Sequence, residues 1–211
     1  MAHSRRLDKA RLQMVRRQLG HMISHFHRDV VDARSTEIHE TFELCMIQGD
    51  VFPLGKDERL STIVKRTGSW QHLIKSKGKP IGIAHSAAPG PLENIWSVQN
   101  FFVTPISAKI ARAVAKIDRT RAKDNIEVIL VTVPSKLVDF FLLRSPKKTE
   151  VYLIVGRDKS TGLVEGRFYT ETRFLKLLSS APDSMGIGVA RNLKHLASPK
   201  EKSEGPTENN V

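Results

Sequence analysis

Apolar residues recur at Leu12, Val15, Leu19, Met22, Phe26 and Val30, with gaps of 3, 4, 3, 4 and 4. This near-heptad spacing lays one apolar stripe along a helix and predicts a single long helix over residues 5–33. Gly20 weakens its middle by about 1 kcal/mol relative to alanine. So short a seam does not define a coiled coil. The stripe is read as a face packed on the protein's own domain, with dimerisation through the helix as the sharper alternative.

A second helix is expected over 36–48. Ser35 supplies a cap, Ile38, Phe42, Cys45 and Met46 an apolar side, and Gly49 a stop, with Glu37, Glu40 and Glu43 along another side. Residues 50–58 read as a loop and 59–67 as a short helix. The period then changes. Trp70–Ser76 and Lys79–His85 flank Lys77-Gly78 and predict a β-hairpin, with Pro80 and Gly82 marking an edge or a bulge in its second strand. The run at 87–91 (AAPGP) is a loop, and Trp96–Val103 a third strand.

Thr104-Pro105 opens the clearest helix, 105–123, with Ile106, Ile110, Ala113, Val114 and Ile117 on its apolar face. Ile126–Val133 is almost wholly apolar and β-branched, as a central strand buried on both faces would be. Pro134-Ser135 breaks it, and Ser135 as a cap favours a short helix over Lys136–Leu143. Glu150–Val155 reads as a buried strand, 157–162 as a turn and Leu163–Tyr169 as its hairpin partner. A helix capped by Thr170 or Thr172 runs through Leu178, and a final helix falls at 188–196. Residues 198–211 lack core formers and are expected to be disordered. The fold class that follows is α+β: a mostly antiparallel sheet of about five strands with helices on one face, plus a long N-terminal helix. The 105–123 helix would join parallel strands if 96–103 and 126–133 share a sheet. Three segments result: a basic helical arm at 1–34, one α+β domain at 35–197 and a tail at 198–211.

Composition narrows the class. Hydrophobic residues make up 40% of 211, enough for a core. No apolar run approaches the roughly 18 residues of a membrane helix. The single cysteine, Cys45, excludes an intramolecular disulfide and a Cys-based zinc cluster. The N-terminus is Arg-rich and amphipathic, like an organelle presequence, but Asp8, Asp29 and Asp32 interrupt it. The expectation is a cytoplasmic protein without a membrane span, with organelle import left open.

Charge adds location. Lys+Arg 34 against Asp+Glu 22 give a net +12. Residues 1–34 hold eight Lys/Arg and three Asp, and residues 104–125 hold six and two, so these segments carry +5 and +4. In the second, Lys109, Arg112, Lys116, Arg119 and Lys123 recur at gaps of 3, 4, 3 and 4, with Arg121 beside them. They share one helical arc about 80° wide, uninterrupted by an acid. Arg5, Arg6, Lys9, Arg11, Arg16 and Arg17 form a second, more scattered basic surface. The bland alternatives are a solvated face, or docking against the acidic residues 37, 40 and 43. Aromatics are 6% and none interleaves with the stripe, so base stacking is not expected. The resulting expectation is a nucleic-acid-binding protein, for DNA or RNA, that contacts phosphates through helix faces without catalysis.

Two alternatives stand beside it. One is a small metal-independent nuclease or other hydrolase with His85 as general base, where Arg167, Tyr169 and Thr170 are conceivable partners. The other is a protein–protein interaction module, or a homodimer, built on the N-terminal helix. His21, His25 and His27, with His39 or Glu37, have metal-compatible spacing but lack the HExxH pattern, so no metal is assigned. No cofactor is expected. There is no Walker A sequence, no G-x-S-x-G elbow, and Gly186–Ala190 lacks a preceding strand.

Overall fold

The computed structural model describes residues 2–4, 7–55, 57–88, 96–121, 124–156 and 162–183. The chain order is β1 (Ala2–Ser4), α1 (Lys9–Phe26), β2 (Thr36–Met46), α2 (Leu60–Ile63), β3 (Lys65–Ser76), β4 (Lys79–Ala87) and β5 (Ser97–Val103). Then follow α3 (Ile106–Arg121), β6 (Ile126–Val133), β7 (Val138–Arg144), β8 (Thr149–Gly156), β9 (Phe168–Thr170) and α4 (Glu171–Ser180). Eight strands form one mixed, mostly antiparallel sheet in the order β5-β4-β3-β2-β6-β7-β8-β9. The short β1 pairs with the start of β6, in parallel, on the edge that β2 uses further along. The fold is α+β, with more strands than the five expected. The final helix at 188–196 and the tail at 198–211 lie outside the described residues, as do all but the last residue of the turn at 157–162 and most of the AAPGP loop.

The β3–β4 hairpin forms where the alternating pattern placed it. Lys77 and Gly78 both take positive φ, +49° and +75°, the left-handed pair that a two-residue hairpin loop of right-handed twist requires. Pro80 and Gly82 mark a bulge: pairing jumps from Ile74–Gly82 to Lys75–Pro80. Strand β4 is not an edge, because β5 pairs with its other side. Gly82 sits under that neighbour. A Cβ there would collide with the Phe102 carbonyl oxygen and come within 2.8 Å of the Phe101 ring.

Two expected helices are strands. Residues 36–46 form β2, between β3 and β6, with register shifts at Ile38/Glu40 and Leu44/Cys45. The first shift adds one residue to β2, whereas at the second the extra residues, Thr67 and Gly68, belong to β3. The apolar positions Ile38, Phe42 and Cys45 imitate a helical face because both faces of β2 are covered: Phe42 packs on the α3 side, Ile38 and Cys45 on the other. Residues 138–144 form β7, and Leu137 with φ +53° turns the chain into it. The Ser135 cap that favoured a helix here belongs to a single 3-10 turn, Pro134–Lys136, and Asp139 is a strand residue on one sheet face.

Helices cover both faces of the sheet, not one. On one face α3 buries Ile110, Ala113 and Ile117 against Leu73, Ile83, Leu130 and Phe141. On the other, α1 packs Leu19 and Ile23 on Ile74, Ala84 and Phe101. Beside it, α2 and α4 pack Leu60, Phe174 and Leu178 on Val131, Phe140 and Leu153. Glu171 Oε1 accepts the Leu60 N–H at 2.6 Å, tying the start of α4 to that of α2. Strand β6 alternates between the faces, Val128 and Leu130 to one, Ile129 and Val131 to the other, which is why it reads as an unbroken apolar run. Strands β5 and β6 run antiparallel, so α3 is not a parallel crossover: it leaves the sheet edge and passes over β4 and β3 to reach the middle.

The β5 edge is partly closed by a side chain. Gln18 on α1 donates from Nε2 to the Trp96 carbonyl at 3.0 Å and accepts from the Val98 N–H at 2.7 Å. Further along, Phe102 and Val103 are exposed.

Candidate functional site

Thr104 starts α3 as its sequence implied, its hydroxyl accepting the Ile106 N–H at 3.3 Å. With Ile110, Ala113 and Ile117 facing the sheet, the basic positions fall on the flank and outside. Lys109 Nζ meets Glu165 Oε2 at 2.7 Å. Lys116 donates to the Gly166 carbonyl at 2.7 Å and lies 5.6 and 5.8 Å from the ring centroids of Tyr152 and Phe168. Arg121 binds both oxygens of Glu150, at 3.1–3.3 Å, with its guanidinium 4.9 Å from the Phe168 centroid. Glu150 also takes Lys148 at 3.0 Å. Part of the stripe therefore fastens α3 to β8 and to the segment before β9. The carboxylates that do this, Glu150 and Glu165, come from distant sequence, so no helical spacing announces them.

Arg112 and Arg119 are different. Both are exposed and neither makes an ion pair among the described residues. Lys123, Arg5 and Arg6 lie outside the described residues. On α1, Lys9, Arg16 and Arg17 are exposed, while Arg11 pairs with Asp8 at 3.1 Å and lies over Trp96. No acidic residue occurs between Lys9 and Phe26. The two basic helices lie on opposite faces of the sheet and do not make one continuous surface. The apolar seam of α1 is turned inwards at Val15 and Leu19, whereas Phe26 at its end and Val30 in the turn beyond it are exposed.

His85 lines a cavity of about 200 Å³ between the first turns of α3 and the sheet. Its Nε2–H donates to Gln71 Oε1 at 2.9 Å, a tautomer and amide orientation assigned from the hydrogen-bond network. Burial pushes the imidazole below its ordinary pKa, so it is neutral at pH 7. Gln71, Thr132 and Asp139 also line the cavity. Strands β4 and β7 are four inter-strand spacings apart, about 19 Å along the sheet. His85 and Asp139 are thus too distant to act on one proton. Arg167, Tyr169 and Thr170 are further away, at the far side of the sheet on or beside β9, six spacings from β4. The Tyr169 hydroxyl is occupied by the Val164 N–H at 2.7 Å. A charge inside an apolar strand, Asp139, and an amide in the apolar half of β3, Gln71, are the sequence signals that would have marked this cavity.

The opposite face holds a second histidine. Trp96 Nε1–H donates to Ser86 Oγ at 3.0 Å. That hydroxyl donates to His72 Nε2 at 2.8 Å, and His72 Nδ1–H donates to Thr41 Oγ1 at 3.1 Å. Burial, helped by the nearby His85, pushes His72 down to about 4. A Ser–His contact resembles an activated nucleophile. Here both residues have no solvent exposure, and threonine stands where an orienting carboxylate would be needed. The group is a structural link joining β2, β3 and β4 to Trp96.

Among the described residues no three His, Cys, Asp or Glu side chains converge as metal ligands, and no helix is long and apolar enough to cross a membrane. Compared with known proteins, the chain matches no family model, no curated protein and no solved structure.

Proposed function

We propose that the protein binds nucleic acid by phosphate contact through the outer face of α3, without reading bases and without catalysis. The observation that carries this is the pair Arg112 and Arg119, exposed and free of carboxylate partners among the described residues, with Lys116 between them. Seven residues of helix separate the two arginines by about 10 Å, close to three nucleotide steps along one strand. The net +12 supplies a long-range attraction for a polyanion. Lys109 and Arg121, committed to Glu165 and Glu150, support the helix and do not add to the contact.

Three cations set the scale. Releasing about three counterions gives a slope of log K against log salt near −2.7 on duplex DNA and near −2 on a single strand. A fourfold rise in salt then weakens duplex binding about 40-fold. Fluorescence anisotropy with labelled duplex DNA, single-stranded DNA and RNA from 50 to 200 mM NaCl measures it. Arg112→Glu with Arg119→Glu is expected to abolish binding while the fold survives. Salt-independent binding, or an unaffected double variant, overturns the reading. Replacing Lys9, Arg16 and Arg17 by glutamine tests the α1 surface separately.

The hydrolase alternative draws no support from the cavity, since His85 faces neither a nucleophile nor a carboxylate within reach of one atom. The interaction-module reading is narrowed to Phe26 and Val30, because the seam above them is packed on the sheet.

A further inference from the structure

We propose that the cavity between α3 and the sheet is a binding site for a linear, uncharged alcohol: an aliphatic chain lying across the strands, with its hydroxyl held by Gln71 and His85. This goes beyond the phosphate reading and does not depend on it.

The cavity measures about 200 Å³, more than the roughly 150 Å³ at which a purely apolar cavity stays dry and holds benzene. Its sheet side is lined from six neighbouring strands, from Ile83 and His85 on β4 through β3, β2, β6 and β7 to Ile154 on β8. The outer two are five spacings apart, about 24 Å at the backbone. Leu44 and Leu130, register partners on β2 and β6, form the floor, and Ile106 and Ile110 of α3 the roof. So modest a volume drawn from so many strands is a slot running across them. It suits an aliphatic chain and is poorly shaped for a ring.

One end of the slot carries an unused donor. Gln71 is only 7% exposed, yet its amide N–H groups have no hydrogen-bond partner among the described residues. Its Oε1 is taken by His85, whose Nδ1 is left as an acceptor. Reversing the amide and the tautomer together exchanges these roles and leaves the same offer, one donor beside one acceptor. A hydroxyl gives one hydrogen bond and takes one, so it satisfies either arrangement. A donor buried this deeply costs stability until something pairs with it. The Gln71–His85 bond holds both side chains in place before a ligand arrives, which lowers the ordering cost of binding. Asp139, near the other end, is already engaged within the protein, so the hydroxyl is placed at Gln71 and His85. The ligand is uncharged because the burial that keeps His85 neutral penalises any ion brought beside it.

Four probes separate the contributions: 1-hexanol, its isomer 1-methoxypentane, which accepts but cannot donate, hexanoate, and the compact cyclohexanol. Binding is followed by ¹H–¹⁵N spectra of the full chain, reading the Gln71 side-chain amide and the backbone amides of Leu44, His85, Leu130 and Ile154. 1-Hexanol is expected to shift these signals saturably. The ether and the acid are expected to bind about tenfold or more weaker, the worth of a buried polar group left unpaired, and cyclohexanol is weaker than hexanol as well. Gln71→Met with His85→Leu removes both polar partners, and is expected to bring alcohol and ether to equal affinity. Ile110→Phe or Leu44→Phe fills the slot, and is expected to abolish binding while the spectrum stays dispersed. The proposal is overturned by the absence of a saturable shift at these residues, or by an ether, acid or cyclohexanol that binds as tightly as hexanol. An alcohol preference that survives the Gln71/His85 variant, or undiminished binding in a folded filling variant, overturns it equally.

Discussion

Acid sensitivity through His72 follows directly from its burial. The imidazole has no solvent exposure and its pKa is pushed from 6.5 to about 4. In the unfolded chain the same group takes a proton near 6.5. The folded value is the lower one, so the contribution is fully present above pH 6.5 and is lost as pH falls through 4. A displacement of two to three units at about 1.4 kcal/mol each amounts to about 3 kcal/mol, of which about 2 kcal/mol disappears between pH 7 and pH 5. Against a domain stability of about 5–15 kcal/mol this is a large share. His85 is lowered in the same direction by burial, and its proximity adds to the lowering of His72. The assay is urea unfolding at several pH values for the wild type and for His72→Gln. Carboxylates titrate alike in both, so the difference in slope isolates the histidine. The variant is expected to lose about 2 kcal/mol less than the wild type between pH 7 and pH 5. If the two lose stability in parallel, His72 is not a buried neutral base and the reasoning fails.

Other consequences are simpler. Phe174→Ala removes a fully buried ring packed 4.6 Å from Phe140, and urea unfolding is expected to register a loss of about 3–5 kcal/mol. Gly82→Ala forces β5 away from β4, and is expected to cost about 3 kcal/mol by the same measurement, a neutral result contradicting the close approach. The Cys45 thiol, raised to about 11 mainly by burial, is expected to resist a thiol reagent at pH 8 until urea unfolds the chain. Lys136 is buried, with its ammonium on the Ala181 carbonyl, 3.1 Å from Asp183 and over the Phe52 ring. Lys136→Met is expected to speed proteolytic cleavage just after α4, read by mass spectrometry of the fragments.

Where local pattern and tertiary role agreed, the sequence was readable. Strands β6 and β8 are buried on both faces and look so; α3 carries its own cap; the hairpin carries its own turn residues. Strand β2 misled because it is covered on both faces, so that Phe42 serves one core and Ile38 and Cys45 the other at gaps of 4 and 3, and pairing with both β3 and β6 overrides local preference. Strand β7 misled because the Ser135 cap signal serves only a single 3-10 turn, Pro134–Lys136, which Leu137 ends before the strand begins. The basic arc of α3 was legible as an arc. Its division into paired and exposed members was not, since Glu150 and Glu165 arrive from elsewhere in the chain. Spacing also left open that α1 and α3 sit on opposite sides of the sheet.

At the head of β5 the single amide of Gln18 does what a neighbouring strand would do. It presents a donor and an acceptor to the carbonyl of Trp96 and the N–H of Val98, the two groups an incoming chain would need for its first rung. The sheet is thereby terminated by a side chain at that end, so recruitment of a stray strand has to begin beside Phe102 and Val103. Losing this amide, as in Gln18→Leu, converts a closed end into a template, and self-association at high concentration becomes the first symptom of a fault in α1.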